Sequence, residues 1–351
     1  MINEPKEDFK KQAIIIANHT SFLDIIAIGM LHPKIIFLVN DWVYNSPVFG
    51  KAIQLAGFYP VSSGIENGLE HLKKKVEQGY TLMAFPEGTR SKTHKIKRFH
   101  KGAFYLAEQF NLDIIPVLIH GNSEVIPKGE SMIRDGHITL KILDRITPED
   151  SRFSNNYSQR AKQIGAYFRT EFSAFRKERE GATYFHNILL DEYRYKGDTL
   201  YQNVKKDITT HKDIYKMVLN TVGKKSTIVH LSDDVGQLDF LLALDAVDRK
   251  IISYIENTEY RTLVKNSFIP NSRNITFADS IEATLPFKAN ALIISATNIT
   301  EAQLKLMIQS DLNHLIFLKE SKHLLATNTL DLGFDCTYQT ENMTILSKQL
   351  K

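Results

Sequence analysis

Two α/β domains in tandem, each a three-layer arrangement with a mostly parallel sheet between helices, are predicted for this 351-residue chain. Apolar runs of strand length alternate with segments of helical period along nearly the whole sequence. That alternation is the pattern of a parallel sheet covered by helices. It is interrupted at Arg176-Lys177-Glu178-Arg179-Glu180-Gly181, where charges and a glycine stop a long helical segment. The length suits two ordinary domains with sizeable cores. The domains are expected over residues 1–182 and 183–351.

In the first half, strands are expected at 13–17, 35–39, 57–61, 81–85, 114–119 and 136–143. Helices are expected at 21–31, 47–56, 65–78 and 102–110, and a long one at 157–179. In the second half, helices are expected at 201–222, 237–247, 257–266 and 300–309. Strands are expected at 227–231, 250–255, 275–278, 291–295, 314–318 and 343–347.

Composition narrows the function classes. Hydrophobic residues make up 43% and charged residues 24%, as in ordinary globular proteins. The single cysteine, Cys336, excludes a disulfide framework and a cysteine metal site, and suits a reducing, cytoplasmic location. No metal is expected. No run approaches the ~18 apolar residues of a membrane span, and Met1 to Lys11 has no signal-peptide core. Residues 1–180 carry 25 Lys and Arg against 20 Asp and Glu; of chain totals of 44 and 40, residues 181–351 keep 19 and 20. That excess is too small for a nucleic-acid surface. It is concentrated at Arg90, Lys92, Lys95, Lys97, Arg98 and Lys101. A solvated loop is the plain reading of such a run; contact with a phosphate, a pantetheine carrier or an anionic lipid headgroup is the functional one.

The apolar strand Ala13-Ile14-Ile15-Ile16-Ala17 runs into Asn18-His19-Thr20-Ser21-Phe22-Leu23-Asp24. A histidine thus sits at a strand-to-helix turn, with an aspartate in the first helical turn behind it. An imidazole there can take a proton from an alcohol, and the carboxylate can fix its tautomer. Ser21 and Asp24 also fit a capping box, which would make Asp24 only a helix-start residue. A second block, Phe85-Pro86-Glu87-Gly88-Thr89-Arg90, follows another apolar strand and favours the catalytic reading.

With both blocks in this order, the first half resembles the glycerolipid (lysophosphatidic-acid-type) acyltransferases. Phe99-His100-Lys101-Gly102 is similar to the family's phosphate-side loop. Ile114-Ile115-Pro116-Val117-Leu118-Ile119 is similar to its apolar strand with a central proline. The resemblance implies His19 as general base oriented by Asp24. It places Asn18, Ser62, Ser63, Glu87, Gly88, Thr89, Arg90 and Lys101 at the substrate. Ser62 and Ser63 stand where the family carries an acid and an arginine, so the acceptor need not resemble glycerol 3-phosphate. The donor implied is acyl-CoA or acyl-carrier protein, and the acceptor a lysophospholipid or related lipid. No Gly-x-Ser-x-Gly elbow is present, which argues against a hydrolase triad. The family's N-terminal membrane helices are missing, which is the pattern of a piece cut from a longer polypeptide.

The second half resembles class I S-adenosylmethionine-dependent methyltransferases, with a Rossmann-like sheet. Gly236, Glu256 and Asp279 occupy that family's cofactor positions. Its Gly-rich loop is poor here: His230-Leu231-Ser232-Asp233-Asp234-Val235-Gly236 keeps only the last glycine. Side chains at Ser232 and Asp234 would crowd the cofactor, and Asp234 would repel its carboxylate. S-adenosylmethionine binding is therefore expected to be lost. Together the two modules resemble the cytoplasmic tail of lipid-exporter-type transporter fusions. The implied partners are an acyl donor carrier, a lipid acceptor, a membrane surface and an attached transporter; the implied location is the inner face of a membrane. A bifunctional acyltransferase/methyltransferase and a non-catalytic binding module of a membrane assembly are the alternatives.

Overall fold

The structure is a computed structural model and describes the chain except residues 48–49, 56, 61–64, 92–94, 127–132, 182, 297, 309–310, 319–332 and 349–351. The chain divides into two compact units, Met1–Arg179 and Glu180–Lys351.

The first unit holds strands β1 (Ile2–Asn3), β2 (Ala13–Ala17), β3 (Ile35–Val39), β4 (Tyr59–Pro60), β5 (Thr81–Ala84), β6 (Asp113–His120) and β7 (Thr139–Ile142). They form one sheet in the order β1-β7-β6-β2-β5-β3-β4. The β6–β7 pair alone is antiparallel; the others run parallel. Its helices are α1 (Leu23–Gly29), α2 (Asp41–Tyr44), α3 (Gly50–Leu55), α4 (Ile65–Glu77), α5 (Gly102–Gln109), α6 (Asn122–Val125) and α7 (Tyr157–Arg179).

Every residue of β2 is buried, as a central strand covered on both faces requires. Ile14 and Ile16 join the core that contains Phe104 of α5 and Ile164, Phe168, Phe172 and Phe175 of α7. Ala13, Ile15 and Ala17 face the other way, into the core with Ile28 of α1 and Phe37 of β3. Alternate side chains of one strand thus supply both layers. The register places Ile16 beside Ala84 of β5 and beside Pro116 of β6. The carboxyl ends of β5, β2 and β6 therefore lie side by side, and the loops leaving them are neighbours. Ligand sites of open parallel sheets form at this edge.

The second unit begins with α8 (Tyr184–Tyr193), α9 (Asp198–Thr210) and α10 (Lys212–Thr221). Its strands are β8 (Thr227–Ser232), β9 (Lys250–Ile255), β10 (Ile275–Phe277), β11 (Ala291–Ile294), β12 (His314–Leu318), β13 (Phe334–Gln339) and β14 (Met343–Lys348). Their order is β10-β9-β8-β11-β12-β14-β13, with β14 antiparallel to both neighbours. Helices α11 (Gln237–Asp245), α12 (Thr258–Lys265), α13 (Phe268–Ser272) and α14 (Glu301–Met307) complete it. Both faces carry apolar cores, one built on Ile228, Leu238 and Ile251, the other on Val229, Ile252 and Leu315. Both units are α/β, with mostly parallel sheets between helices.

Several elements differ from expectation. The continuous helix expected over 201–222 is two helices broken at His211, whose backbone leaves the helical region at φ −101° and ψ 22°. The break lets Val204 and Ile208 of α9 and Tyr215 and Val218 of α10 all reach one core. The strand expected at 57–61 is only Tyr59–Pro60 among the described residues. The helix expected from Ser21 starts at Leu23 with Phe22 as its N-cap, and the Leu23 N–H donates to Ser21 Oγ at 3.3 Å. Strand β13, with Phe334 buried and the rest exposed, lacks the apolar signal of the others.

Candidate active site

Four parallel strands deliver the site residues of the first unit. The end of β2 supplies His19. The α1 start supplies Asp24, the end of β5 supplies Glu87 to Arg90, the end of β3 supplies Asn40, and α6, just past β6, supplies Asn122. A cavity of about 590 Å³ opens there. His19, Asn40, Phe85, Gly88, Thr89, Arg90 and His100 line it, with Ile25, Leu38, Val39 and Val43 on its apolar walls.

His19 and Asp24 are joined directly. His19 Nδ1 lies 2.8 Å from Asp24 Oδ2. The same oxygen accepts the backbone N–H groups of Thr20 at 2.6 Å and Ser21 at 2.9 Å. The other oxygen accepts Asn122 Nδ2 at 2.5 Å. Asp24 is fully buried, so these charge-assisted bonds are what make its ionised form tolerable. An acceptor-only carboxylate on Nδ1 places the proton there and leaves Nε2 as the basic nitrogen. The imidazole stacks on Phe85, with ring centroids 4.1 Å apart and planes inclined by 14°. The ring is thus fixed by its edge and by its face.

The peptide of His19 is held from both sides by the loop after β5. Its N–H donates to Glu87 Oε1 at 2.9 Å, and its carbonyl accepts the N–H of Ser91 at 2.7 Å. Glu87 Oε2 accepts the N–H of Lys97 at 2.8 Å. Glu87, expected at the substrate, is among the residues that line the cavity, and it is buried with both oxygens bonded to backbone donors. It is a positioning residue. Burial pushes its carboxyl above the ordinary glutamate value, and the N–H bonds from Lys97 and His19 oppose this without reversing it.

Asn18, also expected at the substrate, is buried and turned into the sheet. Its Nδ2 donates to the Ile119 carbonyl at 2.8 Å and its Oδ1 accepts the Ile119 N–H at 2.8 Å. The side chain extends the β2–β6 pairing past Ala17 and fixes where His19 begins. Lys101 sits over the Tyr157 ring at 5.7 Å and is not on the cavity wall. Thr89 and Arg90 do line the cavity. Lys97 Nζ bonds the Thr89 hydroxyl at 3.0 Å and the Arg90 carbonyl at 3.2 Å, which shapes this rim. Gly88 has φ +70°, and a Cβ there would stand 3.1 Å from the His100 ring. The positive φ favours glycine here, and a Cβ would press on the His100 ring. Ser62 and Ser63 lie outside the described residues.

Sequence reasoning missed Asn40 and Asn122 as parts of the site, and named His100 only within the phosphate-side loop. Asn40 Nδ2 donates to the Gly88 carbonyl at 2.8 Å. Its signal was a polar residue at the carboxyl end of a strand, the same signal that His19 gave. Asn122 gave no local signal, because its meeting with Asp24 depends on strand order.

In the second unit the expected cofactor residues have other occupations. Gly236 has φ +78° and caps α11, and its N–H donates to Asp234 Oδ1 at 2.8 Å. The Val235 N–H donates to Gln237 Oε1 at 3.2 Å, and Tyr193 OH holds the Val235 carbonyl at 2.7 Å. Asp234 thus ties up its own loop. Glu256 accepts a hydrogen bond from Asn298. Asp279 is ion-paired to Lys265 at 2.9 Å, and this hydrogen bond holds its carboxyl below the usual range. His230, where the cofactor family has an acid, is fully buried between Asp239 at 2.8 Å and Ser295 at 3.1 Å.

Comparison with known proteins gives the class to which the first unit's blocks point. Residues 2–120 match the family model described as Acyltransferase. That segment takes in His19, Asp24 and Glu87 to Arg90 and bears out the resemblance read from them. Among characterised relatives, the 1-acyl-sn-glycerol-3-phosphate acyltransferase of Cocos nucifera is 33% identical over 42% of this chain and 50% of its own length. The chain spans about half the length of such relatives. The 1-acyl-sn-glycerophosphate acyltransferase PlsC from Thermotoga maritima is similar at 24% identity and TM-score 0.43, over 50% of this chain and 71% of that one. The precorrin-6y C5,15-methyltransferase from Geobacter metallireducens is similar at 9% identity and TM-score 0.31, over 39% of this chain and 89% of that one.

Replacing Glu87 by Gln tests the positioning role. The amide sets a donor against one of two backbone N–H groups, a loss of about 1–3 kcal/mol. The variant is expected to unfold at lower urea and to lose turnover rather than apparent affinity. The pH dependence has a definite sign. The folded-state pKa of Glu87 lies above its unfolded value, so the folded state binds the proton more tightly and loses stability as pH rises above the unfolded value. The stability gap between wild type and Gln should therefore narrow as pH rises through that interval. A gap that widens would contradict the assignment.

Proposed function

We propose that the first unit transfers a fatty acyl group from an acyl thioester, carried by coenzyme A or acyl-carrier protein, to the hydroxyl of a lysophospholipid or related lipid. The observation that supports this most is the His19–Asp24 pair at the wall of a cavity also lined by Gly88, Thr89 and Arg90. His19 Nε2 takes the proton of the acceptor hydroxyl. The oxygen attacks the thioester carbonyl carbon, and the tetrahedral oxyanion collapses with cleavage of the carbon–sulfur bond. The departing thiolate takes the proton back from the imidazolium. Asp24 stays ionised throughout and stabilises that imidazolium. The nucleophile belongs to the acceptor, so no acyl-enzyme is needed. Arg90 supplies a fixed positive charge for a phosphate of donor or acceptor, and the apolar wall takes hydrocarbon.

The second unit supports a scaffold or docking reading rather than methyl transfer. The N–H groups of Val235 and Gly236, which a cofactor carboxylate would need, are already bonded within the loop. The reading of the whole chain as an enzyme at a membrane rests on the substrates; no described helix is long and apolar enough to cross a membrane.

His19→Ala should lower the acyl-transfer rate by about 10²–10⁴-fold, the usual cost of a lost general base, with the urea midpoint little changed. Arg90→Ala should raise KM and weaken its salt dependence. A purified His19→Ala variant within a few-fold of wild type would end the general-base assignment.

S-adenosylmethionine at about 100 µM should give no saturable heat on titration into the full chain. Saturable binding below that level would bring the bifunctional reading forward.

A further inference from the structure

We propose that the second unit holds a small phosphate-bearing ligand in a cavity at the amino ends of β8, β9 and β10, the opposite edge of the sheet from Gly236 and Glu256. Thr227, Lys250 and Ile275 are the first residues of these three neighbouring parallel strands, and all three line a cavity of about 550 Å³. This volume lies within the range of small-molecule sites.

The lining has one sign of charge. Lys250, Arg273 and Lys288 contribute to it, and among the described residues no carboxylate does. Composition does not explain this, since residues 181–351 carry 19 Lys and Arg against 20 Asp and Glu. Lys250 and Lys288, both exposed, give this concavity a positive potential that favours an anion. The rest of the wall suits a phosphoester. Asn274 and Thr276 offer neutral hydrogen-bonding groups, and Thr276 pairs with Ile252 on the edge of the sheet with its side chain exposed. Phe287 is 38% exposed on the wall and presents a ring against which a flat or apolar substituent can pack. The role assigned to the cavity is binding.

Lysine labelling of the full-length chain with a small acylating ester, read by peptide mass spectrometry, locates the ligand without confusion with the first unit's cavity. Lys250 and Lys288 are both exposed and open to the reagent. Inorganic phosphate or adenosine monophosphate at about 10 mM, enough to fill a millimolar site, is expected to slow labelling of both by about threefold or more. Sodium chloride at the same ionic strength is not. Stronger protection by the nucleotide assigns the site to an organic phosphoester packed on Phe287, and equal protection assigns it to free phosphate. Thr276→Glu places a carboxylate in the cavity from an exposed position and should remove the protection while labelling of Lys205 stays unchanged. No protection by either probe, protection matched by chloride, or protection that survives Thr276→Glu overturns the proposal.

Discussion

The buried carboxylate of Asp24 is the interaction on which the first unit's site depends. It accepts hydrogen bonds from His19, Thr20, Ser21 and Asn122. A fully buried carboxylate without such partners would protonate or open the structure. Once those bonds form, the strand-to-helix turn has one shape, the imidazole has one tautomer, and α6 is tied to α1. The burial that makes the pair costly also makes it rigid, because little water competes for the same bonds.

Strand order turns this local pair into a site. Placing β2 between β5 and β6 sets the loop after β5 against the His19 peptide and α6 against Asp24. Glu87 and Ser91 then grip the N–H and carbonyl of His19, while Asn18 locks onto Ile119 of β6. The histidine is thus held by its ring and by its own peptide bond. Preorganisation of this kind removes reorganisation from the reaction step. The second unit uses a related device to another end: its loop after β8 is closed on itself by Asp234, Gln237 and Tyr193.

What was legible in the sequence was whatever is local. The His19–Asp24 pair lies within one turn of chain. The apolar runs marked the central strands because both of their faces are buried. Contacts set by topology were not legible. Asn122 meets Asp24 across 98 positions, and Glu87 meets the His19 N–H across 68. The resemblance placed Asn18 at the substrate, but its amide is bonded to the Ile119 backbone and serves the sheet. The same resemblance placed Lys101 there, and it lies over the Tyr157 ring. The helix break at His211 was hidden because the helical period continues through it. The exposed strand β13 shows no alternation to find. The unit's fold survived these misses, since it rests on buried positions and not on the polar residues between them.

The central claim is that Asp24 holds the proton of His19 on Nδ1 and leaves Nε2 free for the acceptor. Nitrogen-15 NMR of the His19 imidazole, assigned by its absence in His19→Ala, measures this directly. At a pH where the ring is neutral, the account predicts the Nδ1–H tautomer as the dominant form in wild type, with the preference lost in Asp24→Asn. A dominant Nε2–H tautomer in wild type, or a preference unchanged by Asp24→Asn, would contradict it.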